Sequence, residues 1–186
     1  MTSHHRLLVS AEAQVHHNLQ SMTQLAQQAL EEAMNALKTQ NGELARTVVE
    51  KDLKQNHLMR IIEQECMQIL AKLEPKTSDL REVVASMQIA TELERISDHA
   101  KSIANIVLTM DSEDFSGPMD RIAHMGDLCL NMISQVMEAY TNVNSELARH
   151  VAENDRRVDE LDEEASSSLM MTLMTSADTS MHATHL

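Results

Sequence analysis

The sequence predicts an all-α protein built as two tandem three-helix bundle repeats, the second of them truncated. Three observations lead there. With three Gly and two Pro in 186 residues, the many tight turns that a sandwich, a barrel or a Gly-rich nucleotide-binding sheet requires are missing. Between the few breakers, apolar residues recur with a helical period over segments of about 25 to 32 residues. The chain also repeats itself at an offset of 103: Asn41 to Asp52 falls on Asn144 to Asp155 with eight of twelve positions identical, where average usage gives roughly one.

The breakers lie at Gln40-Asn41-Gly42, Pro75 to Ser78, Asp111 to Pro118, Thr141 to Ser145 and Thr175 to Ser180, and they imply six helices. The first carries Met22, Leu25, Ala26, Ala29, Ala33 and Leu37 on one stripe; the second carries Val48, Met59, Ile62, Cys66, Ile69 and Leu73. A third follows Pro75, where Asp79 is placed to cap it and Glu82 stands at the capping-box position. The fourth and fifth duplicate the first and second, since Met22, Leu25, Met34 and Ala36 fall on Met125, Leu128, Met137 and Ala139. By the same offset a sixth begins at about Thr179 and has room only as far as Leu186. The expected domains are residues 7–110 and 119–186, joined by a linker at 111–118, with the second domain incomplete at its C-terminal end. Apolar stripes lacking their third helix are expected to drive copies of the chain into a homodimer or larger homo-oligomer.

Composition narrows the function classes. One Phe, one Tyr and no Trp exclude aromatic platforms for stacking bases, and a net charge of −14 opposes polyanions, so nucleic acid is not an expected partner. No stretch approaches the ~18 apolar residues of a membrane span, and no signal-peptide core follows the N-terminus, so the expected location is the cytoplasm. Cys66 and Cys129 form no paired motif and read as buried free thiols. The three glycines stand apart and no nucleophile elbow occurs, which leaves no catalytic motif; the chain is expected not to be an enzyme.

Carboxylates in paired positions are the remaining chemistry. Glu94 and Asp98 lie one helical turn apart, a like-charge spacing that costs a helix a few tenths of a kcal/mol. Glu94 also continues the row of Leu80 and Met87 at seven-residue spacing, which draws it toward a helix seam where a hard cation would compensate it. Helix spacing alone favours a solvated acidic face with Arg95 and Lys101 as counter-charges. Asp155 and Asp159 repeat the pattern, Asp155 lying between Val151 and Val158 on an apolar stripe; Asp52 and Asn56 are their partners in the first repeat. Arg46 or Arg149 could neutralise these aspartates instead. No Glu-x-x-His pair is present, so the helical di-iron carboxylate pattern is absent, and of ten His only His99, beside Asp98, invites attention.

Pro75-Lys-Thr-Ser-Asp-Leu-Arg81 followed by Ile89-Ala-Thr-Glu-Leu-Glu-Arg-Ile-Ser-Asp-His-Ala100 resembles the first signature of the PhoU family of phosphate-transport regulators, and the likeness runs from about residue 10 through both repeats. The resemblance implies a pair of three-helix bundles in the cytoplasm, binding metal through Glu/Asp-x-x-x-Asp motifs. Glu94 and Asp98 match that motif, and Asp155 and Asp159 fit its pattern; Glu94 and Asp98 are expected to face a groove beside acids of another helix, Asp155 and Asp159 first among them, and the metal is expected to be iron, manganese or magnesium. Ser97 stands where the family often has Gly. The second signature is expected at about residue 195, beyond Leu186. The family's role implies a negative regulator of phosphate homeostasis that contacts a sensor histidine kinase and the ATPase subunit of the phosphate transporter. A helical adaptor without any metal-dependent role is the alternative.

Overall fold

A computed structural model describes residues 3–73, 75–110 and 119–183, with side chains for residues 5–73, 75–110 and 119–171. The described residues form five helices and no strand: α1 (Ser3–Thr39), α2 (Gly42–Lys72), α3 (Thr77–Thr109), α4 (Met119–Thr141) and α5 (Ser145–Ala183). The chain divides into two compact units, Met1–Met110 and Asp111–Leu186. Helices α1, α2 and α3 pack on one another in the first, and α4 packs on α5 in the second. The expected linker at 111–118 lies outside the described residues.

A separate sixth helix from about Thr179 does not appear among the described residues, because α5 runs through Thr175 to Ser180 without a break. That cluster holds Ser, Thr and Asp but neither Gly nor Pro. Such residues cost a helix only a few tenths of a kcal/mol each, against ~3 for Pro, too little to stop one already under way.

In the first unit the buried positions of α3 alternate strictly by three and four residues, and most of those on α1 and α2 follow the same register. On α3 they are Val83, Ser86, Ala90, Leu93, Ser97, Ala100 and Ala104; on α2, Ala45, Val48, Asp52, Gln55, Ile62, Cys66 and Ile69. Helix α1 contributes Leu8, Val15, Leu19, Met22, Ala26, Ala33 and Leu37. This spacing averages 3.5 residues, the period that keeps one seam facing its neighbours along a left-handed bundle. Of the expected stripes, Met22, Ala26, Ala33, Leu37, Val48, Ile62, Cys66 and Ile69 are buried, while Leu25, Ala29, Met59 and Leu73 are half-buried at the flanks.

Each pair of helices in this unit is also tied by polar groups. Lys51 Nζ reaches both oxygens of Glu32, at 2.7 and 2.8 Å, and Asn18 Nδ2 donates to Glu65 at 2.8 Å, both linking α1 to α2. His16 pairs with Glu82 between α1 and α3 at 2.8 Å. Gln55 Nε2, fully inside, donates to Met22 O on α1 at 3.2 Å and to Leu93 O on α3 at 3.1 Å. Asp79 does not cap α3 as expected. The helix starts two residues earlier, so Asp79 occupies its third position and its Oδ2 accepts from the Lys76 N–H at 3.2 Å.

The 103-residue repeat extends to backbone detail. Gln40 and Val143 are related by that offset, and both adopt the left-handed conformation, at φ 52° and 51°. At each turn the next residue, Asn41 or Asn144, returns its N–H to the fifth carbonyl back, Ala36 O at 3.0 Å or Ala139 O at 2.8 Å. Each of these Asn side chains then caps the following helix, accepting from Leu44 N or Leu147 N at 3.1 Å. This helix-ending motif usually places Gly at the left-handed position. Val143 holds it instead, although a β-branched residue there is strained and this one is 91% exposed. Replacing Val143 by Gly should therefore raise stability by about 1 kcal/mol in chemical denaturation, the steric cost removed exceeding the entropy added to the unfolded chain; a loss of stability would show that the valine makes a contact worth more than its strain.

Candidate metal centre

The seam spacing on α3 leaves Leu80, Met87, Glu94 and Lys101 on one flanking row, and Asp98 one turn after Glu94. Glu94 is half-buried and Asp98 exposed. Across the seam, α2 supplies Asp52, whose side chain is only 5% exposed. Lys101 Nζ lies 2.8 Å from Asp52 Oδ2 and 3.6 Å from Asp98 Oδ1, so one ammonium serves carboxylates on two helices. Asn56 Nδ2 donates to the same Asp52 oxygen at 3.1 Å, while Asp52 Oδ1 is buried with no hydrogen-bond partner among the described residues.

Electrostatics marks the cluster as crowded. Burial pushes the Glu94 pKa above the ordinary 4.5, the charges of Asp98 and Asp52 add to the shift, and Lys101 and Arg95 oppose it. The hydrogen bond from Lys101 to Asp52 holds the ammonium's pKa above its ordinary 10.5, against a smaller desolvation effect. The counter-charges anticipated for a solvated face divide: Arg95 pairs outward with Glu92 at 3.1 Å, and Lys101 turns toward Asp52. Arg46 pairs with Glu43, and Lys101 takes the role of counter-charge to Asp52.

Asp52, Glu94 and Asp98 are oxygen donors of the kind a hard cation takes, and Asp52 Oδ1 has acceptor capacity unused, but their arrangement does not form a cation site among the described residues. As arranged, no three His, Cys, Asp or Glu side chains gather into a metal-binding group among the described residues; the lysine stands where a cation would. In the second unit Asp155 and Asp159 are both exposed on α5. The expected inward lean of Asp155 does not occur, although Val151 is buried and Val158 half-buried on either side of it. Its repeat partner Asp52 is covered because α2 has both α1 and α3 against it, whereas among the described helices of its unit α5 has α4 alone. His99 is exposed. Cys66 is buried and free, its thiol pushed up to about 11 by burial and the nearby Glu65 charge, and half-buried Cys129 is shifted the same way, so neither is a reactive thiolate.

A second titratable cluster, which helix spacing did not single out, joins α1 to α3 nearer the other end of α3. Glu12 and His16 are one turn apart on α1 and face Glu82, with Asp79 nearby; burial first, then the Glu82 and Asp79 charges, raise the Glu12 pKa above 4.5. Glu12 Oε1 is buried without a hydrogen-bond partner among the described residues. A carboxyl that holds its proton more tightly when folded favours folding in acid, and that contribution is lost as pH rises through and above 4.5. Glu12→Gln should accordingly leave stability near that of the wild type at about pH 4 and raise it at about pH 7, measured by urea unfolding; a difference independent of pH would contradict the shift.

Residues 19–107 and again 122–186 match the PhoU domain. The chain is 33% identical over 154 residues to the phosphate-specific transport system accessory protein PhoU of Edwardsiella tarda, covering 83% of this chain and 63% of that protein. It is 30% identical over 165 residues to the PhoU homolog of Aquifex aeolicus, covering 89% and 75%. The chain thus spans a little under two-thirds of the length of the Edwardsiella relative. The crystal structure of PhoU from Pseudomonas aeruginosa superposes with a TM-score of 0.85 at 29% identity, over 91% of this chain and 81% of that one. The phosphate transport system regulatory protein PhoU of Streptococcus pneumoniae gives 0.84 at 26%, over 91% and 79%. With two matched segments that together take in most of its length, the chain belongs to the PhoU family.

Proposed function

We propose that this chain is a regulatory accessory protein of a phosphate transport system, acting through protein contacts rather than catalysis. The family match in both halves, with relatives named as phosphate transport accessory proteins, is the observation that carries the proposal. The partners of this reading are the transporter's ATPase subunit and a sensor histidine kinase in the cytoplasm, and the effect is repression of the phosphate-starvation response when phosphate is plentiful. Long helices with net charge −14 suit basic protein surfaces, and no described helix is long and apolar enough to cross a membrane.

The regulator binds a metal ion in this reading: iron, manganese or magnesium. Glu94 and Asp98, assisted by Asp52, hold it in the first unit; Asp155 and Asp159 supply the corresponding acids of the second. The cation would neutralise carboxylates that otherwise repel one another across the α2–α3 seam, so its role is to set the charge and fit of that face. The lysine-filled cluster favours a second reading, a helical adaptor that needs no metal because Lys101 already neutralises Asp52. Metal uptake separates the two. After chelator treatment the protein should take up manganese(II), and a Glu94→Ala, Asp98→Ala double variant should take up less; equal uptake would overturn the site assignment.

The chain also self-associates in this reading. In the second unit Val136, Leu169 and Met170 are exposed by 40% or more on a helix pair whose buried residues include Ile133, Ala139, Val151, Leu161 and Ala165. Light scattering should give a dimer or larger species, and a monomer at all concentrations would contradict it.

A further inference from the structure

We infer that one water molecule is bound inside the first unit, where α1, α2 and α3 meet, donating to Asp52 Oδ1 and Gln55 Oε1 and accepting from the Ser97 hydroxyl. All three residues are more than nine-tenths buried. Among the described residues, none of these three buried atoms has a hydrogen-bond partner. The contacts on either side bring the three together. Gln55 Nε2 donates to Leu93 O on α3 at 3.1 Å, and Lys101 Nζ donates to Asp52 Oδ2 at 2.8 Å. Ser97 comes one turn after Leu93 and one turn before Lys101, as the inward residue of α3 between them. Asp52 and Gln55, three residues apart, are the inward residues of α2 at that level.

These groups cannot satisfy one another. Asp52 Oδ1 and Gln55 Oε1 only accept, and the Ser97 hydroxyl has a single proton to give. Whatever its rotamer, one acceptor is left without a donor, and a buried polar atom so left costs more than a made hydrogen bond gains. Turning the Gln55 amide over offers no escape. Nε2 lies between two carbonyl oxygens, Met22 O at 3.2 Å and Leu93 O at 3.1 Å, and Oε1 in its place would face both. Ser97 also lacks the outlet that other hydroxyls of α3 use. Ser86, Thr91 and Ser102 each donate to the carbonyl four residues back, at 2.8, 3.0 and 2.9 Å. For Ser97 that carbonyl is Leu93 O, which Gln55 already engages. A water brings two protons and an acceptor, matching two acceptors and one hydroxyl; buried waters make about three such bonds. Ala26 on α1 and Ala100 on α3 are the next inward residues along, and each contributes only a methyl group, which leaves room for it. With the water in place, Asp52 is met by Lys101 and Asn56 on Oδ2 and by water on Oδ1, so the seam holds a fully bonded carboxylate.

A high-resolution crystal structure of the full chain should show a density peak about 2.7 to 3.1 Å from Asp52 Oδ1, Gln55 Oε1 and Ser97 Oγ. In solution, oxygen-17 magnetic relaxation dispersion should count one more long-lived water in the wild type than in Ser97→Val, whose methyl groups take the water's place and offer no proton. Ser97→Ala should keep the water with one bond fewer, and melt about 2 to 4 °C below the wild type. A map with no peak there, or with Ser97 Oγ bonded directly to Asp52 or Gln55, would overturn the inference. So would a peak about 2.0 to 2.6 Å from Asp52 Oδ1, which is the distance of a metal ion. Equal dispersion in wild type and Ser97→Val, or a Tm that Ser97→Ala leaves unchanged or raises, would also overturn it, since deleting a hydroxyl without a partner carries no loss.

Discussion

The helices of the first unit meet along a seam of small side chains, and the other features of that unit follow from it. Helix α3 turns Ser86, Ala90, Ser97, Ala100 and Ala104 inward with only Val83 and Leu93 as larger members, and α1 contributes Ala26, Ala33 and Ala36. With no Trp and a single Phe and Tyr in the chain, no wide rings hold the rods apart. Small residues let helix axes approach closely. A polar group placed at a seam position then meets the neighbouring helix instead of water, which is why Gln55 bonds two main-chain carbonyls on different helices and why Asp52 finds Lys101.

These polar members are costly to bury and restrictive in what they permit. A buried ion pair is a weak source of stability compared with apolar packing, but removing one partner of a fully buried pair costs about 3 to 5 kcal/mol. Lys101 is partly exposed, so its own loss falls below that range; Asp52 cannot escape in the same way, being shut between α2 and α3. The asymmetry gives the cluster its character. One acid is immobile and always in need of a cation, two acids stand at the rim, and the resident cation is on a long stem with access to solvent. Gln55, one turn from Asp52, pins the same level of the bundle to α1 and α3, so the immobile acid sits at a fixed height.

Much of this was legible in the sequence because it is local or periodic. The seam spacing, the two Asn caps and the 103-residue repeat all lie along the chain, and the helices start at Gly42 and Ser145 where the repeat demands. Glu94 was readable as drawn toward a seam from its seven-residue row. What was not legible depends on partners distant in sequence and on how many helices pack together. The Asp52 to Lys101 contact joins residues 49 apart on different helices, so spacing on either helix could show only half of it. Asp155 reads like Asp52 because the repeat is faithful there; its exposure comes from how many helices pack on α5, which a local pattern does not encode. The passage of α5 through Thr175 to Ser180 shows that polar turn formers without Gly or Pro make a weak stop.

The account turns on Asp52 being held in the α2–α3 seam by the ammonium of Lys101. A double-mutant cycle of Asp52→Asn and Lys101→Gln, followed by urea unfolding, tests it most directly. The account predicts that the double variant loses less stability than the two single variants summed, because each single change leaves its former partner unpaired. Strictly additive losses would contradict it.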